Sequence, residues 1–204
     1  MGKIGIMGGT FNPIHTAHLI LANCSYEQCN LDKVLFMPSK NPPHKLYDHI
    51  ISEEHRVRMV QLAIEDNPHF ELSTIEIDRE GLTYTAETLC GLCREHPENE
   101  YYFIMGADSL FQIEEWRTPE KIMKLSHIIA VGRDHIPKPE MEEQIRYLTE
   151  KYNGNIQFLQ VPNMDISSKS LRQYRSDGKS IRYYVPDSVE QYILSNRLYE
   201  KLNA

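Results

Sequence analysis

The chain predicts an α/β fold: a doubly wound parallel sheet in a single domain of residues 1–204, with a short helical part from about residue 165 onward. Three observations predict it. Short apolar runs alternate with helical patterns along the whole chain. Most of the runs are continuously apolar, the mark of strands covered on both faces. No internal repeat, low-complexity tract or linker interrupts them, and 204 residues with 41% hydrophobic composition suit one sizeable core.

The elements follow in order. KIGIM (3–7) is a first strand, and residues 16–29 carry a helical pattern. KVLFM (33–37) is a second strand. SKNPPHKLYDHI is a loop, broken by Pro42 and Pro43. Ser52 can cap the next helix, with Glu53 and Glu54 in the turn where the dipole favours acid, and that helix runs to about Asp66. FELSTIEI (70–77) alternates as a strand does. After the loop REGLTYT a helix spans Thr85 to His96, and EYYFIM (100–105) is a buried strand ending at Gly106. Thr118-Pro119 opens a helix, with a capping hydroxyl and proline at the first helical position. HIIAVG (127–132), a helix over 139–153 stopped by Gly154, and a strand over 156–161 complete the alternation. SSKSLRQYRSDG is a short helix with Gly178 past its end, and a final helix starts near Pro186.

A net charge of -7 argues against a general nucleic-acid or acidic-membrane binder, since neither phosphate-rich partner would be neutralised. A small anionic substrate needs a local cluster of cations. No apolar run approaches the length of a membrane span, and the N-terminus lacks the layout of a signal peptide, so the expected location is cytoplasmic. Cys90-Gly-Leu-Cys93 has metal or redox spacing but lies inside a helical pattern. Cys24, Cys29, Cys90 and Cys93 are read as small buried hydrophobes suited to a reducing compartment.

A parallel sheet binds ligands beyond the carboxyl ends of its strands, where strand order reverses. Four clusters fall there. After the first strand come Gly8, Gly9, Thr10 and Phe11, then His15 and His18. Glycines let backbone approach a ligand, and the following helix start offers N–H groups to an anion. A zinc pair is a second reading of His15 and His18, but helical zinc pairs stand four apart with an acidic partner, which is missing. After the second strand, Lys40, His44 and Lys45 form a proline-stiffened basic loop. Arg56, further on, reads as a surface ion pair. After EYYFIM stand Gly106 and Asp108, the latter a ribose or magnesium partner or a helix cap, followed by Trp116 in a charged stretch. After the last strand, Ser167, Ser168 and Arg172 make a hydroxyl-rich helix start with a cation, a phosphate cradle or an ordinary cap.

GGTFNPIHTAH resembles the nucleotidyltransferase signature GG-[ST]-F-D-P-x-H-x-G-H, and DISSKSLR resembles the later I-S-S-T-x-I-R string. PPHK, GLTYT and GADSL followed by Trp116, in that order, are similar to bacterial nicotinate-nucleotide adenylyltransferases. The resemblance runs from residue 3 to about 194. It implies a Rossmann-like fold and transfer of AMP from ATP to nicotinate mononucleotide, giving deamido-NAD and pyrophosphate, with Mg2+ carried mainly by phosphates and water. It implies His15, His18 and Arg172 as catalytic residues. ATP would lie on Gly8, Gly9, Thr10, Phe11, His15, His18, Gly106, Asp108, Arg133, Ser167, Ser168 and Arg172. The mononucleotide would lie on Lys40, His44, Lys45, Thr85 and Trp116, with Thr85 reading the ring carboxylate through backbone. Asn12 stands where the signature has Asp, and Ala17 where it has Gly, so the Ala17 methyl is expected to crowd the nucleotide. Other acceptors (nicotinamide mononucleotide, pantetheine phosphate, a CTP-dependent alcohol phosphate) and a catalytically weakened nucleotide-binding protein are the rival readings.

Overall fold

The computed structural model describes residues 1–40, 50–132, 138–162 and 164–201. Six strands form one sheet: β1 (Lys3–Gly9), β2 (Lys33–Pro38), β3 (Phe70–Leu72), β4 (Glu100–Gly106), β5 (His127–Gly132) and β6 (Ile156–Gln160). Their order is β3-β2-β1-β4-β5-β6, and every neighbouring pair is parallel. Order therefore reverses between β1 and β4, and the crevice lies at their carboxyl ends.

The helices are α1 (Thr16–Gln28), α2 (Glu53–Ile64), α3 (Thr85–Glu95), α4 (Ala107–Phe111), α5 (Pro119–Leu125), α6 (Lys138–Tyr152), α7 (Ser168–Ser176) and α8 (Asp187–Ser195). They cover both faces. Alternate strand residues point to opposite layers. Val34, Phe36, Ile104, Ile129 and Val131 join residues of α1, α2, α7 and α8. Ile6, Met37, Phe103, Met105, Ile128 and Ala130 join residues of α3, α4, α5 and α6.

Three local expectations are corrected. The alternating segment 70–77 is a strand only over Phe70–Leu72, and residues 75–77 form a turn. The alternation there serves a different contact: Glu76 is buried and accepts a hydrogen bond from the Thr88 hydroxyl at 2.8 Å, while the Ile77 carbonyl accepts from Lys40 Nζ at 2.8 Å. Burial pushes the Glu76 carboxyl above its ordinary range, against the pull of that hydroxyl and of Arg79. The Thr118 hydroxyl makes no cap, because the residue sits in the left-handed region at φ 52°. Of the four cysteines, all free, Cys29 is buried and Cys90 is exposed on the solvent side of α3.

Candidate active site

The signature turn begins where β1 leaves the sheet. Gly8 is exposed, and a Cβ there would meet only the Phe103 ring, at an ordinary 3.6 Å. Packing does not require glycine at this position; an unobstructed crevice does. Gly9 has an internal reason, since a Cβ there would lie 3.1 Å from the Phe11 ring. Gly106 ends β4 beside this turn and is exposed, with Asp108 exposed in the first turn of α4.

The histidines form one unit. His15 and His18 stack with ring centroids 3.7 Å apart, and His18 Nδ1 accepts the His15 N–H at 3.2 Å. The Phe11 ring stands edge-on to His18 at 5.1 Å. An Nδ1 that accepts leaves the neutral ring's proton on Nε2, so His18 holds a donor on its far edge. His15 is buried, at 4% exposure, and His18 is half-buried. His18 presents the more exposed edge of the stacked pair.

The last cluster closes on the same turn. Ser168 Oγ donates to the Pro13 carbonyl at 2.8 Å, and Arg172 Nη1 donates to the Asn12 carbonyl at 2.8 Å. Ser167 caps α7, accepting the Ser170 N–H at 3.1 Å. The N–H groups of Ser168 and Lys169 precede the first helical hydrogen bond and point out of the helix end. Asn12 is buried, and its Oδ1 accepts the Tyr199 hydroxyl at 2.8 Å. Burial drives the Tyr199 phenol far up, so it remains a donor. Asparagine in place of the signature's aspartate thus receives a hydrogen bond from the C-terminal segment.

On the acceptor side, Lys40 follows β2 and its ammonium donates to the Ile77 carbonyl. His44 and Lys45, expected on the same loop, lie outside the described residues, as does Arg133. Thr85 is the first residue of α3. Trp116 is half-buried and edge-on to Phe103, centroids 6.1 Å apart, on the ring that also underlies Gly8. The Arg117 guanidinium lies over the Tyr84 ring, 4.4 Å from its centroid, so the segments of Thr85 and Trp116 meet.

Four site expectations change. Phe11, expected to contact ATP, is 2% exposed, and its ring belongs to the core and stands edge-on to His18. Ala17 is fully buried, so its methyl cannot crowd a nucleotide in the crevice. Ala17→Gly is therefore expected to leave ATP affinity unchanged while lowering helix stability by up to ~1 kcal/mol, read by calorimetry and thermal melting. Tighter ATP binding would overturn the placement. The start of α1 is not wholly open to an anion, because the Thr16 N–H is donated to the Tyr184 carbonyl at 2.8 Å. Arg56, expected in a surface ion pair, is 1% exposed and bonds backbone carbonyls instead.

Comparisons with known proteins find relatives along the whole chain. Residues 6–174 match the cytidylyltransferase-like family. A protein of Lachnoclostridium phytofermentans described as a probable nicotinate-nucleotide adenylyltransferase is 50% identical over 199 residues, covering 98% of this chain and 100% of its own. A relative of the same description from a Thermoanaerobacter species is 40% identical over 98% of this chain and 95% of its own. Among solved structures, the Plasmodium falciparum nicotinic acid mononucleotide adenylyltransferase in complex with NaAD superposes with a TM-score of 0.81 at 20% identity, covering 98% of both chains. That last likeness concerns the fold; the first two are matched from end to end. With the histidine turn at the β1 terminus and the serine-arginine helix closing over it, the chain belongs to the nicotinate-nucleotide adenylyltransferase family.

Proposed function

We propose that the protein transfers the adenylyl group of ATP to nicotinate mononucleotide, yielding deamido-NAD and pyrophosphate as a step of NAD biosynthesis. The observation that carries the reading is the convergence of His18, Ser168 and Arg172 on one turn at the switch point, tied by the bonds to Pro13 and Asn12. An oxygen of the acceptor's 5′-phosphate attacks the α-phosphorus in line. The bond to the β-phosphate breaks, and pyrophosphate leaves. The attacking phosphate is already ionised, so no side chain need act as base; what the reaction needs is alignment and charge stabilisation.

His18 would donate from Nε2 to the charge that develops on the phosphates. The Ser168 and Lys169 N–H groups and Arg172 would hold the leaving pyrophosphate. Gly8, Gly9, Thr10 and Gly106 supply a backbone surface that the nucleotide can approach closely. The donor set suits a magnesium ion that arrives on the nucleotide: a single exposed carboxylate, Asp108, stands at the end of β4, and such an ion keeps its waters and phosphate oxygens. Bound there, it would neutralise triphosphate charge. Lys40 supports the acceptor phosphate, and His44, Lys45 and Arg133 are assigned to their substrates by the signature alone. Four free thiols suit a reducing compartment, so the setting we propose is the cytoplasm.

Trp116 would stack on the pyridine ring from its perch on Phe103. The N-terminus of α3 at Thr85 carries partial positive charge that favours nicotinate over nicotinamide. A buried aromatic stack contributes about 0.5–1.5 kcal/mol, so Trp116→Ala is expected to raise the acceptor KM by roughly 2- to 12-fold and leave the ATP KM unchanged. Initial rates with each substrate varied in turn check this; a rise in the ATP KM instead would remove Trp116 from the ring site.

The deciding experiment is an acceptor panel with ATP and magnesium, following pyrophosphate. Nicotinate mononucleotide is expected to be the preferred acceptor over nicotinamide mononucleotide and pantetheine phosphate. Preference for another acceptor reassigns the substrate, and release with none reduces the protein to a nucleotide binder.

A further inference from the structure

The pairing of β1 with β2 ends at Gly9 opposite Pro38, followed by one last backbone bond from the Ser39 N–H to the Gly9 carbonyl at 2.9 Å. Past that point the two chains part, one into the histidine turn and the other into the basic loop. Arg56 takes up the pairing there. Its Nη1 donates to the Thr10 carbonyl at 2.9 Å and to the Ser39 carbonyl at 2.7 Å, and Nη2 reaches the Lys40 carbonyl at 3.5 Å. One planar fork thus bridges both loops where no strand bond can.

The residue is costly for a fold alone. It is 1% exposed, and among the described residues its hydrogen bonds go to carbonyls rather than to a carboxylate. Burying a cation without a bonded counter-ion is penalised, and an apolar side chain of similar volume would fill the space more cheaply. Arg56 shares the inner face of α2 with Met59, Val60 and Ala63, all buried, which is where an apolar residue would ordinarily stand.

We propose that Arg56 is a positioning residue that locks the nucleotide loop and the acceptor loop in one register. The inference rests on the reading of those loops under the proposed function. Held by one guanidinium, Thr10 on one side and Ser39 and Lys40 on the other order together, so each substrate binds more tightly once the other is present, and the coupling is reciprocal. The fixed cation also lies behind the two segments that receive phosphate anions.

The test uses Arg56→Lys, which keeps the charge but offers a single ammonium in place of the fork. Both the ATP KM and the acceptor KM are expected to rise, each by about tenfold, the effect of losing one charge-assisted bond. A lower melting temperature with both constants unchanged would make Arg56 merely structural, and a rise in one constant alone would break the claim of shared register. A second measurement needs no variant. In the wild-type protein, a non-hydrolysable ATP analogue alone is expected to slow hydrogen exchange at the amides of Ser39 and Lys40, and the acceptor alone at residues 9–12. Protection confined to each ligand's own loop overturns the inference. A wild type inert toward every acceptor would be failure of the functional reading; an active wild type whose two KM values ignore Arg56 would be failure of this one.

Discussion

Replacing His18 with alanine is expected to lower turnover by roughly 100-fold or more, the scale of one lost charge-stabilising donor. The ring is held from three sides: stacked on His15, edge-on to Phe11, and bonded through Nδ1 to the His15 N–H. Its Nε2 donor is consequently aimed before substrate arrives. Truncation also removes the acceptor of the His15 N–H, so about 1 kcal/mol of stability should go with it. His18→Asn separates the two effects. An asparagine oxygen can stand near the Nδ1 position and restore the bond to His15, yet it has no group at the far edge of the ring. Its melting temperature should return toward wild type while turnover stays low. Single-turnover pyrophosphate release with thermal melts reads both; near-wild-type turnover in either variant would remove His18 from the chemistry.

Arg172→Ala should be comparably severe. Arg172 is half-buried, and one of its nitrogens is committed to the Asn12 carbonyl; in the proposed reaction the rest of the guanidinium would face the leaving phosphates. Truncating a hydrogen-bonded charge at a desolvated contact typically costs 2–5 kcal/mol. A loss of kcat/KM for ATP on the order of 100-fold is expected, with the acceptor KM nearly unchanged. Arg172→Lys should recover only part, since an ammonium lacks the planar fork. Steady-state kinetics with each substrate saturated in turn decides it. If the acceptor constant moves and the ATP constant does not, α7 serves the other substrate.

The sheet was largely legible because buried parallel strands are written as continuous apolar runs that helices cannot imitate when they are so short. That His15, His18, Ser168 and Arg172 would meet was legible because each follows the carboxyl end of a parallel strand, where such sheets gather their loops. The failures share a cause: a side chain whose partner is remote in sequence. Phe11 sits in the signature yet packs on Phe36, and only the fold decides whether a motif residue faces ligand or core. Glu76 sits at an inward position of an alternating run, but its partner is the Thr88 hydroxyl on another element. Arg56 did leave a signal. Its spacing to Met59, Val60 and Ala63 is that of one helix face, so a charge lay in the apolar stripe of α2. That pattern argues for a buried, bonded cation over a surface pair. Tyr199 left none, because a tyrosine near a chain end is ordinary until Asn12 is found beneath it.

The contact between Tyr199 and Asn12 joins residues 187 apart in sequence, and Arg172 and Ser168 reach back 160 and 155 residues to the same turn. During synthesis the histidine turn leaves the ribosome well before the groups that brace it. A nascent chain that has paired β1 with β2 and laid α1 over them still lacks the groups that fix the turn. Closing so long a loop is slow compared with forming the local helices. Competence to bind nucleotide should therefore lag behind the appearance of helical signal in a refolding experiment, and ATP should act late, as a ligand that captures finished molecules rather than one that guides their assembly. Under the proposed function the same wiring would make nucleotide binding a report of completion: a chain interrupted before α7 can bury much of its sheet, yet it would not sequester ATP.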